Sequence, residues 1–216
     1  MILSLSEIEG LAKKAARGAG YSWGIAEDAG RDVRWLEGHG LPGAGVLAGL
    51  LIDNDGPRNL AKLPPRFFDG RMQPGGEGPM CPITAAAAIS DRREVLTREI
   101  VIGPVQWPIL LLPAVARSAV ALGMPLTMSW FGYSAVARSD GSVSETGLRR
   151  GASVTDHLKI MPVDQVGAVD PCNETDRCAT APVIVDQLNI FAGRTYAPAT
   201  EASRLAGAGA GLTDND

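Results

Sequence analysis

Histidine and cysteine are scarce in this chain, with two and three copies in 216 residues. The two histidines, His39 and His157, leave few ways to assemble a Ser-His-Asp arrangement, and no Gly-x-Ser-x-Gly elbow accompanies them. An odd number of cysteines suits a reducing compartment better than a disulfide framework. Aromatic residues make up 5% of the chain, too few for a base-stacking platform. Positive charge is also short: 20 Lys and Arg stand against 24 Asp and Glu, for a net charge of −4. That balance is the reverse of a phosphate-binding surface, so no nucleic-acid partner is expected. The most apolar run, 109–122, is broken by Pro113, Arg117 and Ser118. It falls short of the roughly 20 residues needed to span a bilayer, so no membrane partner is expected. The opening MILSLSEIEG has no basic segment leading into an apolar core, so no secretory signal is expected and the expected location is cytoplasmic.

What is present reads as an α+β fold: a helical N-terminal part packed on a small, mostly antiparallel sheet with flanking helices. Residues 1–55 form the helical segment. Ser6 stands three residues before Glu9, the spacing of a capping box, and Ile8, Leu11, Ala12, Ala15 and Ala19 then recur with helical period. Ser22 is placed to cap a second helix with the stripe Ile25, Ala29, Val33 and Leu36. Pro42 suits the first turn of a third through Val46, Leu47, Leu50 and Leu51. Six prolines and Gly75-Gly76 make 56–82 a connection without regular structure. An α+β core follows over 83–194, and a small-residue tail over 195–216 completes one compact domain. In the core, strands are expected at 98–102, 126–130, 133–138, 142–146 and 154–161, with Asp140-Gly141 as a hairpin turn. Helices are expected at 83–89, 108–122 and 183–192, and a loop at 162–182.

The candidate sites each have a bland and a functional reading. Cys172 and Cys178 are six apart, wider than a zinc knuckle prefers, and Cys81, His39 and His157 are scattered in sequence. No metal is expected, and the segment reads as a polar loop turned by Asn173 and Asp176. The segments Gly18 to Gly24 and Gly43 to Gly49 both read G-x-G-x-x-x-G, but neither follows a strand, so helix caps and close packing are the better reading than a dinucleotide cradle. His39, between Gly38 and Gly40, complements a helix C-terminus or reaches a ligand. His157 reads as a surface residue. Glu201 and Arg204 are helical neighbours and form a local ion pair, or Arg204 grips an acidic ligand with two hydrogen bonds. Asp53-Asn54-Asp55 recurs as Asp214-Asn215-Asp216, by coincidence or as a shared cation site. Ser203 or Cys81 as a nucleophile has no partnered base in view.

The tail RTYAPATEASRLAGAGAGLTDND, the opening LSEIEGLAKKAARGAGYSWGIAEDAG and the middle IGPVQWPILLLPAVA together resemble the bacterial domain-of-unknown-function family 3726. That resemblance implies a grouping and no activity. A narrower one, over about the first 45 residues, is to the malate/L-lactate dehydrogenase family with its non-Rossmann nicotinamide fold. Ser6-Glu7, Ala26-Glu27 and His39-Gly40 carry it. It implies an active-site and cofactor-region role for His39, which makes His39 a catalytic candidate, and NAD(P) as cofactor. That family's glycine-rich segments and second histidine motif are missing here.

Two functions follow as expectations. The first is a binding or accessory subunit without catalysis, a homo-oligomer, taking a small acidic ligand at His39, Tyr196, Glu201, Ser203 and Arg204. The alternative is an NAD(P)-dependent oxidoreductase-like protein acting on a small hydroxy acid.

Overall fold

A reciprocal capping box opens the first helix, two residues earlier than the sequence spacing suggests. In the computed structural model, which describes residues 1–56, 63–148, 151–164 and 170–196, β1 (Ile2–Ser4) runs directly into α1 (Leu5–Gly18). The Ser4 hydroxyl accepts from the Glu7 N–H at 3.2 Å, and the Glu7 carboxylate accepts from the Ser4 N–H at 2.7 Å. Two orphan donors of the first turn are thereby satisfied. The alternative box of Ser6 and Glu9 does not form, because Ser6 already lies inside α1, and Glu9 pairs with Arg34 at 2.8 Å.

Ser22 caps α2 (Trp23–Gly38) by position but not through its side chain. Pro42 precedes α3 (Gly43–Asp53). Of the expected apolar stripes, Ile8, Ala12, Ala15, Ala29, Val33, Leu36, Val46, Leu47, Leu50 and Leu51 are buried, while Leu11, Ala19 and Ile25 are half-buried against the core.

The expected structureless connection contains a hairpin, β2 (Arg66–Phe68) and β3 (Arg71–Gln73). Its two-residue turn is Asp69-Gly70, with φ of +47° and +67°, and the register sets Phe68 opposite Arg71. Asp-Gly tolerates a turn with both central residues left-handed, and that geometry matches strand twist. The proline density around it hides the signal.

Then come α4 (Pro82–Asp91), a 3-10 turn at Arg93–Thr97, β4 (Ile100–Ile102), β5 (Val105–Gln106), a 3-10 turn at Pro108–Leu111 and α5 (Leu112–Leu122). β6 (Leu126–Trp130), β7 (Tyr133–Ala137) and β8 (Val143–Gly147) form a meander through the expected Asp140-Gly141 turn. The expected strand at 154–161 is two strands, β9 (Val154–Thr155) and β10 (Leu158–Pro162). β9 pairs with β5 in a separate ribbon, while β10 pairs with β4 and β6 in the main sheet. The chain changes sheet at 156–157, and His157 is exposed there. β11 (Arg177–Ala179), inside the expected 162–182 loop, pairs with β1, and α6 (Pro182–Gly193) ends the described helices.

Among the described residues the main sheet has seven strands in the order β2-β3-β4-β10-β6-β7-β8. It is larger than the small sheet expected, and antiparallel except at β3–β4. β6 and β7 alternate buried and half-buried along their length, as strands with one face on a core must. One apolar core runs from Ile8 on α1 through Leu158 and Ile160 to Phe191 on α6.

Three glycines of the G-x-G-x-x-x-G segments permit this packing. A Cβ on Gly18 would overlap the Phe191 carbonyl of α6, and one on Gly49 would overlap the Trp107 ring. One on Gly43 would lie 2.7 Å from the Val33 carbonyl oxygen. Close packing is the role of both segments, and neither follows a strand.

Candidate functional site: an arginine cleft at the end of the second helix

Helical spacing brings Arg31, Arg34, Trp35 and Gly38 to one side of α2, and His39 follows where the helix ends. Arg117 of α5 and Glu174 and Thr175 before β11 complete a cleft of about 440 Å³. A second recess of about 550 Å³, lined by Ser22, Asp28, Asp32, Ser90 and Asp91 among others, shares Arg31 and Arg117 with it.

His39 is half-buried, not part of an exposed turn. Its ring stacks on Trp35 with centroids 3.9 Å apart and planes 24° apart. Its Nδ1 lies 2.8 Å from the Trp35 carbonyl oxygen. A carbonyl only accepts, so Nδ1 carries a proton and donates it to this bond. The helix-complementing reading of His39 is therefore geometrically met, and the residue also lines the cleft.

The other terminal carbonyls of α2 are also occupied. Leu36 accepts from Leu41 at 2.8 Å, Glu37 from Gly40 at 3.0 Å and Gly38 from Thr175 at 2.8 Å. A free helix C-terminus repels anions. Here its acceptors are taken, so side chains set the charge of the cleft, with Arg31, Arg34 and Arg117 outnumbering Glu174 among the described lining residues.

Each arginine has an acidic neighbour. Arg34 meets Glu9 at 2.8 Å, Arg117 meets Asp32 at 2.6 Å, and Arg31 meets Asp28. Each pair engages one terminal guanidinium nitrogen, so among the described residues the remaining N–H donors of each fork stay available to a planar anion. Asp32 differs from the other two acids in being buried. Burial pushes its carboxyl up to about 6, against the opposing pull of the Arg117 charge. Protonation of Asp32 would leave Arg117 without its counter-charge.

The remaining sequence candidates lie elsewhere. Tyr196 is 66% exposed and lines a separate groove with Lys13, Arg17 and Trp23. His39 and Tyr196 are therefore not brought into one cleft. Glu201, Ser203 and Arg204 lie outside the described residues, as does the Asp214-Asn215-Asp216 string. Asp53-Asn54-Asp55 is engaged in structural bonds. Asp53 accepts from the Trp107 indole at 2.8 Å, Asn54 donates to Gln106 at 2.9 Å, and Asp55 holds Arg194 with two bonds of 2.7 Å.

Cys81 is buried with its sulfur 3.1 Å from the Tyr21 hydroxyl, whose ionisation burial pushes up, so the neighbour is no base. The Cys178 thiol is pushed up to about 12 by burial and by its bond to Glu37, which keeps it a thiol. Glu37 is a buried carboxylate that the sequence reading passed over. It accepts from the Ala44 N–H at 2.7 Å, supplying the cap that Pro42 cannot give α3. Among the described residues no group of three or more His, Cys, Asp or Glu is arranged to hold a metal ion. No described helix is long and apolar enough to cross a membrane.

Residues 3–67, just under a third of the chain, match the model of a family described as Protein of unknown function (DUF3726). The segment contains Arg31, Arg34, Trp35 and His39, and it bears out the resemblance read from the opening of the sequence. Its description assigns no activity. No curated protein and no solved structure matches the chain, so the dehydrogenase likeness gains no support from comparison.

Proposed function

We propose that this protein binds a small acidic ligand, a carboxylate of metabolite size, in the cleft between α2 and α5. The observation that carries this reading is the convergence of Arg31, Arg34 and Arg117 with His39 on one aromatic-walled recess, each guanidinium holding spare donors. Arg presents a planar fork that matches a carboxylate, and the stacked Trp35–His39 pair offers a flat wall to the rest of the ligand. The reading assigns binding to the cleft and no reaction, as suits an accessory subunit.

Thermal shift against succinate, malate and 2-oxoglutarate tests it. A ligand at ten times its Kd stabilises by about 1.4 kcal/mol. For a chain of this size that is a Tm rise of roughly 3–5 °C. Arg34→Gln and His39→Gln should each remove most of the rise. No shift with any of the three at 20 mM, or an equal shift in both variants, overturns the proposal. Stabilisation by NADH or NADPH at concentrations where the acids do nothing would favour the hydroxy-acid oxidoreductase instead.

Self-association belongs to the same reading. Phe131 and Leu148 are 80% and 97% exposed and adjoin through the Leu148 N–H bond to the Gly132 carbonyl, an apolar end of the sheet suited to a second copy of the chain. Light scattering on the wild type and on Leu148→Glu tests that.

A further inference from the structure

A second groove, of about 760 Å³, lies between the exposed side of α1, the end of α6 and the start of α2. Its walls carry Lys13, Lys14, Arg17 and Arg194, and among the described residues none that lines it is acidic, in a chain whose net charge is −4. Trp23 and Tyr196 stand in it with 61% and 66% of their surface in solvent. Gly10 leaves part of the α1 side bare, because a Cβ there would meet nothing within 4 Å.

Two of the four cations are already matched. Lys13 pairs with Glu27 at 2.6 Å and Arg194 with Asp55 at 2.7 Å. The other two meet no carboxylate among the described residues. Arg17 is nonetheless held in place: it donates to the Tyr21 carbonyl at 2.7 Å and its guanidinium lies 5.1 Å from the centre of the Trp23 ring. Lys14, exposed and three residues earlier on the same helix, has its Cβ about 5–6 Å from that of Arg17 by helical geometry.

We infer that this groove is a docking surface for an acidic peptide segment of a partner protein, one that offers two carboxylates about one helical turn or two strand residues apart. The polar ends of Lys14, Arg17 and Trp23 are donors only, which is the complement of carboxylate oxygens. Two unmatched cations suit two carboxylates, and are too few to hold a nucleic-acid backbone against an acidic protein. The exposed indole supplies apolar contact for the peptide between its charged residues, the usual anchor in such surfaces. The site is independent of the arginine cleft, with which it shares no lining residue.

Fluorescence anisotropy of a labelled peptide of alternating Glu and Gly, added to the full-length protein in 50 mM salt, tests the inference. Saturable binding is expected, with a shift in Trp23 emission and at least tenfold weaker affinity for the peptide in which Gln replaces Glu. The double variant Lys14→Gln with Arg17→Gln should weaken binding at least tenfold. Gly10→Leu, which fills the open part of the groove with a good helix former, should weaken it several-fold at an equal or higher Tm. Absence of saturable binding overturns the inference, as does equal affinity in the double variant. Displacement of the peptide by ADP or tripolyphosphate at lower concentrations than by unlabelled peptide also overturns it, in favour of a phosphate ligand.

Discussion

The arginine cleft and the α1–α6 groove are both cationic, yet their charges are held in different ways. In the cleft every guanidinium has an acid behind it, and one of those acids, Asp32, is buried and poised near neutral pH. In the groove two cations face solvent with no carboxylate among the described residues. The cleft's charge is thus set by protonation of a buried partner. The groove's charge is fixed by sequence and screened only by salt. Two sites of the same sign on one small chain can then answer to different conditions.

The largest expected effect comes from removing one side of the buried pair. Arg117→Ala leaves the Asp32 carboxylate buried without its partner, and should cost about 2–3 kcal/mol at pH 7.5, less than a fully buried pair because Arg117 is half exposed. At pH 5, below the raised value of about 6, Asp32 is mostly neutral and the loss should fall below about 1 kcal/mol. The sign follows from a folded-state pKa above the unfolded one. Asp32's own titration contributes stability that is complete below the unfolded value and is lost as pH rises through about 6, while the offsetting attraction of Arg117 grows over the same range. Urea unfolding at the two pH values measures it. Lys14→Gln and Arg17→Gln in the groove should each stay within about 0.5 kcal/mol at both.

Next in size is the contrast between two glycines of the groove. Gly18→Ala must push against the Phe191 main chain and should destabilise by about 1–3 kcal/mol. Gly10→Ala enters open space on a helix and should be neutral or stabilise by up to about 1 kcal/mol. Equal effects in thermal melts would mean that α1 and α6 are not in close contact.

A smaller effect separates the ligands by pH. Affinity of the cleft for 2-oxoglutarate, largely a dianion over the whole range, should rise several-fold between pH 7.5 and 5.5, as neutral Asp32 frees Arg117, and Asp32→Asn should hold it at the higher level throughout. Asp32→Asn removes the carboxyl titration while leaving His39 in place, so it isolates the Asp32 contribution. Affinity of the groove for the acidic peptide should be level over the same range. The smallest contrast is with salt. From 50 to 300 mM, peptide binding in the open groove should weaken more than succinate binding in the cleft.

These contrasts also mark what the sequence made legible. The three N-terminal helices and their buried stripes follow from local periodicity, and His39 stood out between two glycines at a helix end. The pairings β1–β11 and β5–β9 join strands of two or three residues far apart in the chain, too short to show a period. The β2–β3 turn carries the same Asp-Gly signal as the meander, but prolines on both sides hid it. The arginines of the cleft sit on the polar side of α2, where a charged residue ordinarily means only solvent. Arg117 joins them from a helix whose sequence reads as apolar, and nothing local to either segment announces the meeting. Tyr196 was read together with His39, and tertiary structure sets it in the other groove.

The central claim, that the cleft is a carboxylate site, is most directly tested by following the arginine Nε–Hε and histidine ring signals by NMR while succinate is added at pH 5.5. Signals of Arg31, Arg34, Arg117 and His39 should move together and saturate with one Kd, while those of Arg17 and Arg194 stay in place. Movement confined to Arg17 and Arg194, or linear drift of all arginines without saturation, would contradict the account.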